Sequence, residues 1–173
     1  MATIGLFYGT DTGNTERTAK RIKEVLETKV PGIVVELNEI YKKKAADMAK
    51  YDLLILGMPT WYDGELQGDW ESYISEMEQI DFSNKKVAFF GLGDQYGYAS
   101  YFCDALAVFA EIVEKKNGKL YGFMSTAGFE HDFSKAQRDD QFVGLCLDVD
   151  NQEDLTEPRI QQWVGQVVGE FGL

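Results

Sequence analysis

Thr3-Ile4-Gly5-Leu6-Phe7-Tyr8-Gly9 runs straight into Thr10-Asp11-Thr12-Gly13-Asn14-Thr15, and this junction decides the fold. The first stretch is a short apolar run ending in glycine, which reads as a buried strand. The second is a polar, turn-rich loop. Behind it, Thr18 to Val30 carries Ala19, Ile22, Val25 and Leu26 at helical spacing, and Pro31-Gly32 stops the helix. Moving outward, Ile33 to Leu37 is a β-branched second strand and Lys42 to Lys50 a short helix. Leu53-Leu54-Ile55-Leu56-Gly57 is apolar without alternation, as expected of a parallel strand covered on both faces. The aromatic loop Met58 to Gly64 follows, then a helical face of Trp70, Tyr73, Ile74 and Met77. Val87 to Gly91 is the fourth strand, Gly93 to Gly97 a second glycine-rich loop, and Ser100 to Lys116 a helix stopped by Asn117-Gly118. Leu120 to Phe123 begins a fifth strand that Phe142 to Leu147 resumes. The polar stretch 125–141 between them has no periodicity and reads as an insertion. Thr156 is expected to N-cap the last helix, with Pro158 in its first turn and Ile160, Trp163, Val164, Val167 and Val168 facing inward. Strand and helix alternate from end to end. That predicts an α/β fold, a parallel sheet with helices on both faces, as one domain over residues 1–173.

The 173 residues suit one domain, which at this size buries roughly 70% of its unfolded surface and needs no staples. Seventeen Lys and Arg against 29 Asp and Glu give a net charge of −12. That sign argues against nucleic-acid binding, whose affinity comes from neutralising phosphates, and against docking on an anionic membrane. It fits either solubility or steering toward basic partners. No apolar stretch approaches the ~20 residues of a membrane span. Met1-Ala2-Thr3-Ile4 has no signal-peptide pattern, so a soluble cytoplasmic protein is expected, or one whose targeting segment has been removed.

Cys103 and Cys146 stand 43 positions apart without a CxxC, and His131 is the only histidine. Zinc and iron–sulfur sites need clustered soft ligands, so no metal site is expected. The cysteines are expected to stay reduced without a redox role. His131 reads as a solvated loop residue, and no Gly-x-Ser-x-Gly elbow offers it a catalytic partner. Any chemistry must therefore come from a bound group.

Ligands of doubly wound sheets sit at the carboxyl ends of the strands. Thr10 to Thr15 offers hydroxyls, a flexible glycine and free helix N-terminal amides, which can cradle an anion. The loop lacks the lysine of a Walker motif and the Gly-x-Gly-x-x-Gly of a dinucleotide fingerprint. A monophosphate ester held by neutral hydrogen bonds fits it, and so does a plain Thr-rich helix cap. Trp61 and Tyr98 add one large aromatic each from the loops after strands three and four. Two such rings suit a flat heterocycle between them.

Three segments, Thr10-Asp11-Thr12-Gly13-Asn14-Thr15, Pro59-Thr60-Trp61 and Gly91-Leu92-Gly93-Asp94-Gln95-Tyr96-Gly97-Tyr98, resemble the three FMN loops of the flavodoxin family. Phe142-Val143-Gly144-Leu145 and Leu147-Asp148-Val149-Asp150-Asn151-Gln152 resemble its last strand and the turn after it. The resemblance covers the whole chain, and the insertion at 125–141 matches the long-chain subclass. It implies a doubly wound five-stranded parallel sheet of order 2-1-3-4-5 with the insertion in its last strand. It also implies non-covalent FMN. Thr10, Asp11, Thr12, Gly13, Asn14 and Thr15 would then hold the phosphate, and Trp61 and Tyr98 would stack on the two ring faces. Backbone amides near Asp94 and Cys103 would meet the pyrimidine edge, Leu92 and Gly93 would belong to the same cofactor-binding loop, and Asp150 would lie near the ribityl chain. Pro59, Thr60, Tyr62, Asp63 and Gly64 would shape the loop whose Tyr62-Asp63 peptide lies beside flavin N5. Tyr62 is bulky where the family often carries a small or amide-bearing residue.

The resemblance implies an electron carrier, not an enzyme, shuttling between semiquinone and hydroquinone in place of ferredoxin. Fully reduced flavin is an anion, and the −12 chain with Asp63, Glu65, Asp69, Asp94 and Asp150 near the loops disfavours it, which lowers the potential of the second electron. The implied partners are redox proteins with basic surfaces, such as ferredoxin–NADP reductase, photosystem I or nitrogenase-type acceptors, docking on a monomer. Two rivals remain. An FMN-dependent quinone or azo-type reductase needs open access over the flavin, where Tyr98 is expected. A phosphoacceptor receiver domain needs an Asp after strand three, where the chain reads Gly57-Met58-Pro59-Thr60-Trp61.

Overall fold

The computed structural model describes residues 2–173. The first half comprises β1 (Thr3–Tyr8), α1 (Asn14–Lys29), β2 (Val34–Glu39), α2 (Ala45–Ala49), β3 (Leu53–Trp61), β4 (Glu65–Leu66) and α3 (Gly68–Met77). The second comprises β5 (Lys86–Leu92), α4 (Ala105–Lys115), β6 (Lys119–Tyr121), β7 (Met124–Ser125), β8 (Gln137–Arg138), β9 (Gln141–Phe142), β10 (Leu145–Leu147) and α5 (Glu153–Phe171).

The sheet runs β2-β1-β3-β5, and both β6 and β10 pair in parallel with the far side of β5. β6 lies against Lys86–Ala88 and β10 against Phe90–Leu92, so together they fill one sheet position. Counted by position, the order is the expected 2-1-3-4-5, with the fifth place split by residues 122–144. Within that detour β7, β9 and β8 form a small antiparallel sheet.

The unalternating third strand has a direct cause. Leu54 and Leu56 enter the layer that holds Trp70 of α3 and Phe109 of α4. Ile55 between them enters the opposite layer, with Ile22 of α1 and Trp163 of α5. Each such side chain, fully buried, contributes about 1.5–3 kcal/mol. Gly57, midway along β3, is set by packing, because a Cβ there would collide with the Phe90 ring.

Three expectations need correction. The last helix begins at Glu153, with Gln152 at its N-cap, so Pro158 is its sixth residue. The Thr156 hydroxyl is buried without a partner and caps nothing. The start is fixed instead by Asp148, whose carbonyl accepts from Gln152 N at 2.8 Å. The fourth helix begins at Ala105, not Ser100, because Cys103 takes a φ of 55° that no helix accommodates. His131 is half-buried rather than solvated, its ring centroid 5.5 Å from that of Phe102 and 5.1 Å from that of Phe142. Its Nε2 meets Gln137 Oε1 at 2.7 Å. Among the described residues, no helix is long and apolar enough to cross a membrane.

Candidate cofactor site

The loops leaving β1, β3, β5 and β10 enclose an open cleft of about 220 Å3. Thr10, Asp11, Thr12, Asn14 and Thr15 line one end; Pro59, Thr60, Trp61, Tyr62, Leu92, Gly93, Asp94 and Tyr98 line the rest, with Asp150 and Val149. Four of the expected residues are not part of this lining. Gly13 lies within the first loop, Asp63 and Gly64 form the turn after Trp61, and Cys103 is fully buried. Val149 is an addition, and its place beside Asp150 in the turn after β10 was its only signal in the sequence.

Gly13 occupies the N-cap of α1 at φ 92°, and no side chain caps this helix. Its N–H donates to Thr10 Oγ1 at 2.9 Å, closing the loop. The first intrahelical bond is Arg17 N to Gly13 O at 3.0 Å, which leaves the amides of the first turn facing the cleft. A Thr-rich cap would have used those amides; an anion cradle leaves them free. Arg17 folds onto the loop: its guanidinium donates to Asn14 Oδ1 and lies where a Gly13 Cβ would meet it at 2.9 Å. Gln67 braces the loop from α3, donating to Asp11 Oδ1 at 3.1 Å and Asp69 Oδ2 at 2.9 Å while accepting from Trp70 N.

At the other end β3 and β4 form a hairpin with Thr60 opposite Leu66 and Trp61 opposite Glu65. Its turn carries positive φ at Tyr62 (44°) and Gly64 (87°). The bulky Tyr62 therefore swings outward, 59% exposed, with its ring 6.5 Å from Trp61 and edge-on to Tyr98 at 5.9 Å. The Trp61 Nε1–H is buried without an acceptor. An orphaned donor beside an apolar wall fits a flat heterocycle with carbonyl or ring-nitrogen acceptors.

The third and fourth loops are locked by two carboxylates. Asp94 Oδ1 accepts from Gly97 N at 2.7 Å, Asn151 Nδ2 at 2.8 Å and Tyr96 N at 3.1 Å. Burial pushes the Asp94 carboxyl upward, but the Gly97, Asn151 and Tyr96 donors together hold it below the usual range. Asp148 is fully buried and accepts from Gln95 N and Nε2 and from Asn151 N and Nδ2. Gln95 Oε1 in turn accepts from Glu130 N, tying the detour to the cleft. Asp148 and Gln95 hold the site's shape, and their role was not legible in the sequence.

A family model described as Flavodoxin matches residues 6–163. A flavodoxin of Nostoc sp. is 48% identical over 170 residues, covering 98% of either chain. One of Klebsiella pneumoniae is 45% identical over 174 residues, covering 100% of this chain and 97% of its own. Among solved structures, a Fusobacterium nucleatum flavodoxin bound to flavin mononucleotide superposes with a TM-score of 0.91 at 33% identity, covering 98% of this chain and 99% of that one. The match runs from the first strand into the last helix and takes in every loop of the cleft; the chain belongs to the flavodoxin family.

Proposed function

We propose that the chain binds FMN non-covalently in this cleft and carries electrons singly, at low potential, between redox proteins of the cytoplasm. One observation carries the reading: an uncapped helix N-terminus in a hydroxyl-rich loop closes one end of the cleft, and an orphaned Trp61 N–H with Tyr98 lines the other. The Fusobacterium nucleatum relative is bound to flavin mononucleotide, which supports the same ligand here. FMN, once bound, supplies the redox chemistry. The protein's residues do the rest. Thr10 to Thr15 hold the phosphate through hydroxyls and first-turn amides. Trp61 and Tyr98 exclude water from the ring, and Tyr62 narrows the mouth between them. Asp94, held ionised by three donors, and Asp150 place negative charge beside the ring, which opposes any further gain of charge there.

Partners of this carrier present basic surfaces, the class to which ferredoxin–NADP reductase, photosystem I and nitrogenase-type acceptors belong by family resemblance, and the chain serves them where ferredoxin otherwise would. Tyr62 and Tyr98 meet edge-on at the mouth of the cleft, which favours a carrier over a quinone or azo-type reductase. An anaerobic redox titration of the purified protein, followed by visible absorbance, tests this. Two separate one-electron steps on released and identified FMN support the reading. A single two-electron step, or recovered FAD, overturns it.

A further inference from the structure

Among the described residues, the buried side-chain polar atoms without a hydrogen-bond partner lie on Trp61, Asp104, His131 and Thr156, and Asp104 is the one carboxylate among them. Asp104 is 3% exposed and stands at the N-cap of α4. Its Oδ1 accepts from Lys135 N of the detour at 2.8 Å. Its Oδ2 has no partner and faces the hairpin turn, 3.1 Å from where a Gly64 Cβ would stand. The helix end is joined to the same hairpin next door, where Ala105 N donates to Thr60 Oγ1 at 3.0 Å. Asp104 therefore sits wedged between the detour and the turn Tyr62-Asp63-Gly64.

A buried acceptor left unpaired costs about 1–3 kcal/mol, and more if charged. Oδ2 escapes that cost in two ways. Ionised, it attracts an N–H of the turn; protonated, it offers an O–H to one of the turn's carbonyls. These two answers demand opposite orientations of a turn peptide. The turn already holds positive φ at both Tyr62 and Gly64, and a glycine within it makes rotation inexpensive.

We propose that Asp104 is a positioning residue for the cofactor-facing turn, its ionisation selecting the orientation of the peptides at Gly64 and thereby the affinity of the cleft for FMN. The inference rests on the FMN reading of the cleft. Burial pushes the Asp104 carboxyl up, opposed first by the Lys135 N–H and then by the Lys135 charge. The other ionisable groups around it are the buried Cys103 thiol beside it in the chain, Tyr101 against Gly64, and Asp63 and Glu65 in the hairpin.

The test uses the full chain with Asp104→Asn, which keeps the shape and an acceptor for Lys135 N, and Asp104→Ala as the coarser variant. In flavin-free protein the Gly64 amide resonance should move with pH in the wild type and stay still in Asp104→Asn. In titrations with FMN, the bend in log Kd against pH should vanish in Asp104→Asn, with Kd changed about three- to tenfold on one side of it. A Gly64 resonance that titrates identically in both proteins overturns the proposal. So does a Kd lowered or raised by the same factor at every pH, which a merely structural role would give. If Asp104→Ala fails to fold, Asp104→Asn decides alone. A wild type that binds no FMN sinks the cofactor reading instead, and the Gly64 titration still decides the role of Asp104.

Discussion

Thr15 is 2% exposed at the head of α1, whereas Thr12 stands open at the cleft. Both line the end of the cleft proposed to hold the phosphate, and their joint replacement by alanine should weaken FMN binding by about 1–3 kcal/mol for each buried bond lost. Riboflavin, which lacks the phosphate, should bind the double variant as it binds the wild type. Fluorescence titration with the two flavins checks this, and equal losses would remove the phosphate from the loop. The cysteines make a second case. Their spacing in sequence says nothing of distance in space, and the fold sets the Cys146 thiol beside that of Cys103. Burial first, and then Cys146, pushes the Cys103 thiol well above its usual range. Both thiols are buried, and buried thiols are inert. Neither should react with a thiol reagent until the protein unfolds, as mass spectrometry of alkylated samples will read. At this scale the sequence showed the residues with one possible use: aromatics in loops, hydroxyls before a helix. It did not show Asp148, Gln95 or Gln67. Several polar residues crowd each of these turns, and only the backbone path decides which one points inward.

Helices α1 and α5 pack side by side behind the sheet, and Arg21 joins them by a forked contact with Glu157, at 2.6 Å from Nη2 and 2.9 Å from Nε. Arg21 and then Gln161 lower the Glu157 carboxyl from the usual range to about 2. A carboxyl lowered on folding stabilises the native state above its unfolded pKa, and this contribution fades as pH falls from about 4.5 toward 2. Both side chains are nearly half exposed to solvent, which screens the pair, so the effect is small. Glu157→Gln should melt slightly earlier than the wild type at neutral pH, and the gap should close as the pH approaches 2. A gap that persists unchanged in acid would mean that shape, not charge, joins the helices. Periodicity located every one of the long helices, because an apolar stripe must repeat wherever a helix covers the sheet. Their ends were less legible. The amide of Ala105, at the start of α4, is met by Thr60, 45 residues away. No local pattern records a partner supplied by another element.

Across the whole molecule the net charge of −12 is the dominant long-range term. Carboxylates at Asp63, Glu65, Asp94 and Asp150 frame the cleft mouth around exposed Tyr62 and Tyr98. Docking there should be steered by charge and brief. The Debye length shrinks from ~30 Å at 0.01 M salt to ~10 Å at 0.1 M, so stopped-flow reduction by a basic partner should slow over that range. Low salt can also trap wrong orientations and produce an optimum. Reversing the exposed Glu65 to lysine or to arginine should flatten the dependence without altering the flavin spectrum. Asp69 is a poorer choice, since its carboxylate holds Gln67 and through it the first loop. A rate indifferent to salt and to these reversals would leave the acidic surface to solubility alone.

The split edge strand has an arithmetic consequence for the chain's length. Tyr121 pairs with Ala88 and Leu145 with Phe90, so a single residue opposite Phe89 would bridge the two in phase. Everything from 122 to 144 is thus an excursion that leaves and rejoins the sheet without shifting its pleat. A gene lacking it, with one linking residue in its place, should still encode the complete sheet, with a far-ultraviolet dichroism spectrum of the same form. Such a shortened chain would lose the Lys135 and Glu130 amides that meet Asp104 and Gln95. Its flavin should bind more weakly while its core persists. A shortened chain that cannot fold would show that the excursion had become part of the core. One that folds would identify it as a removable graft on a frame that needs only five strands.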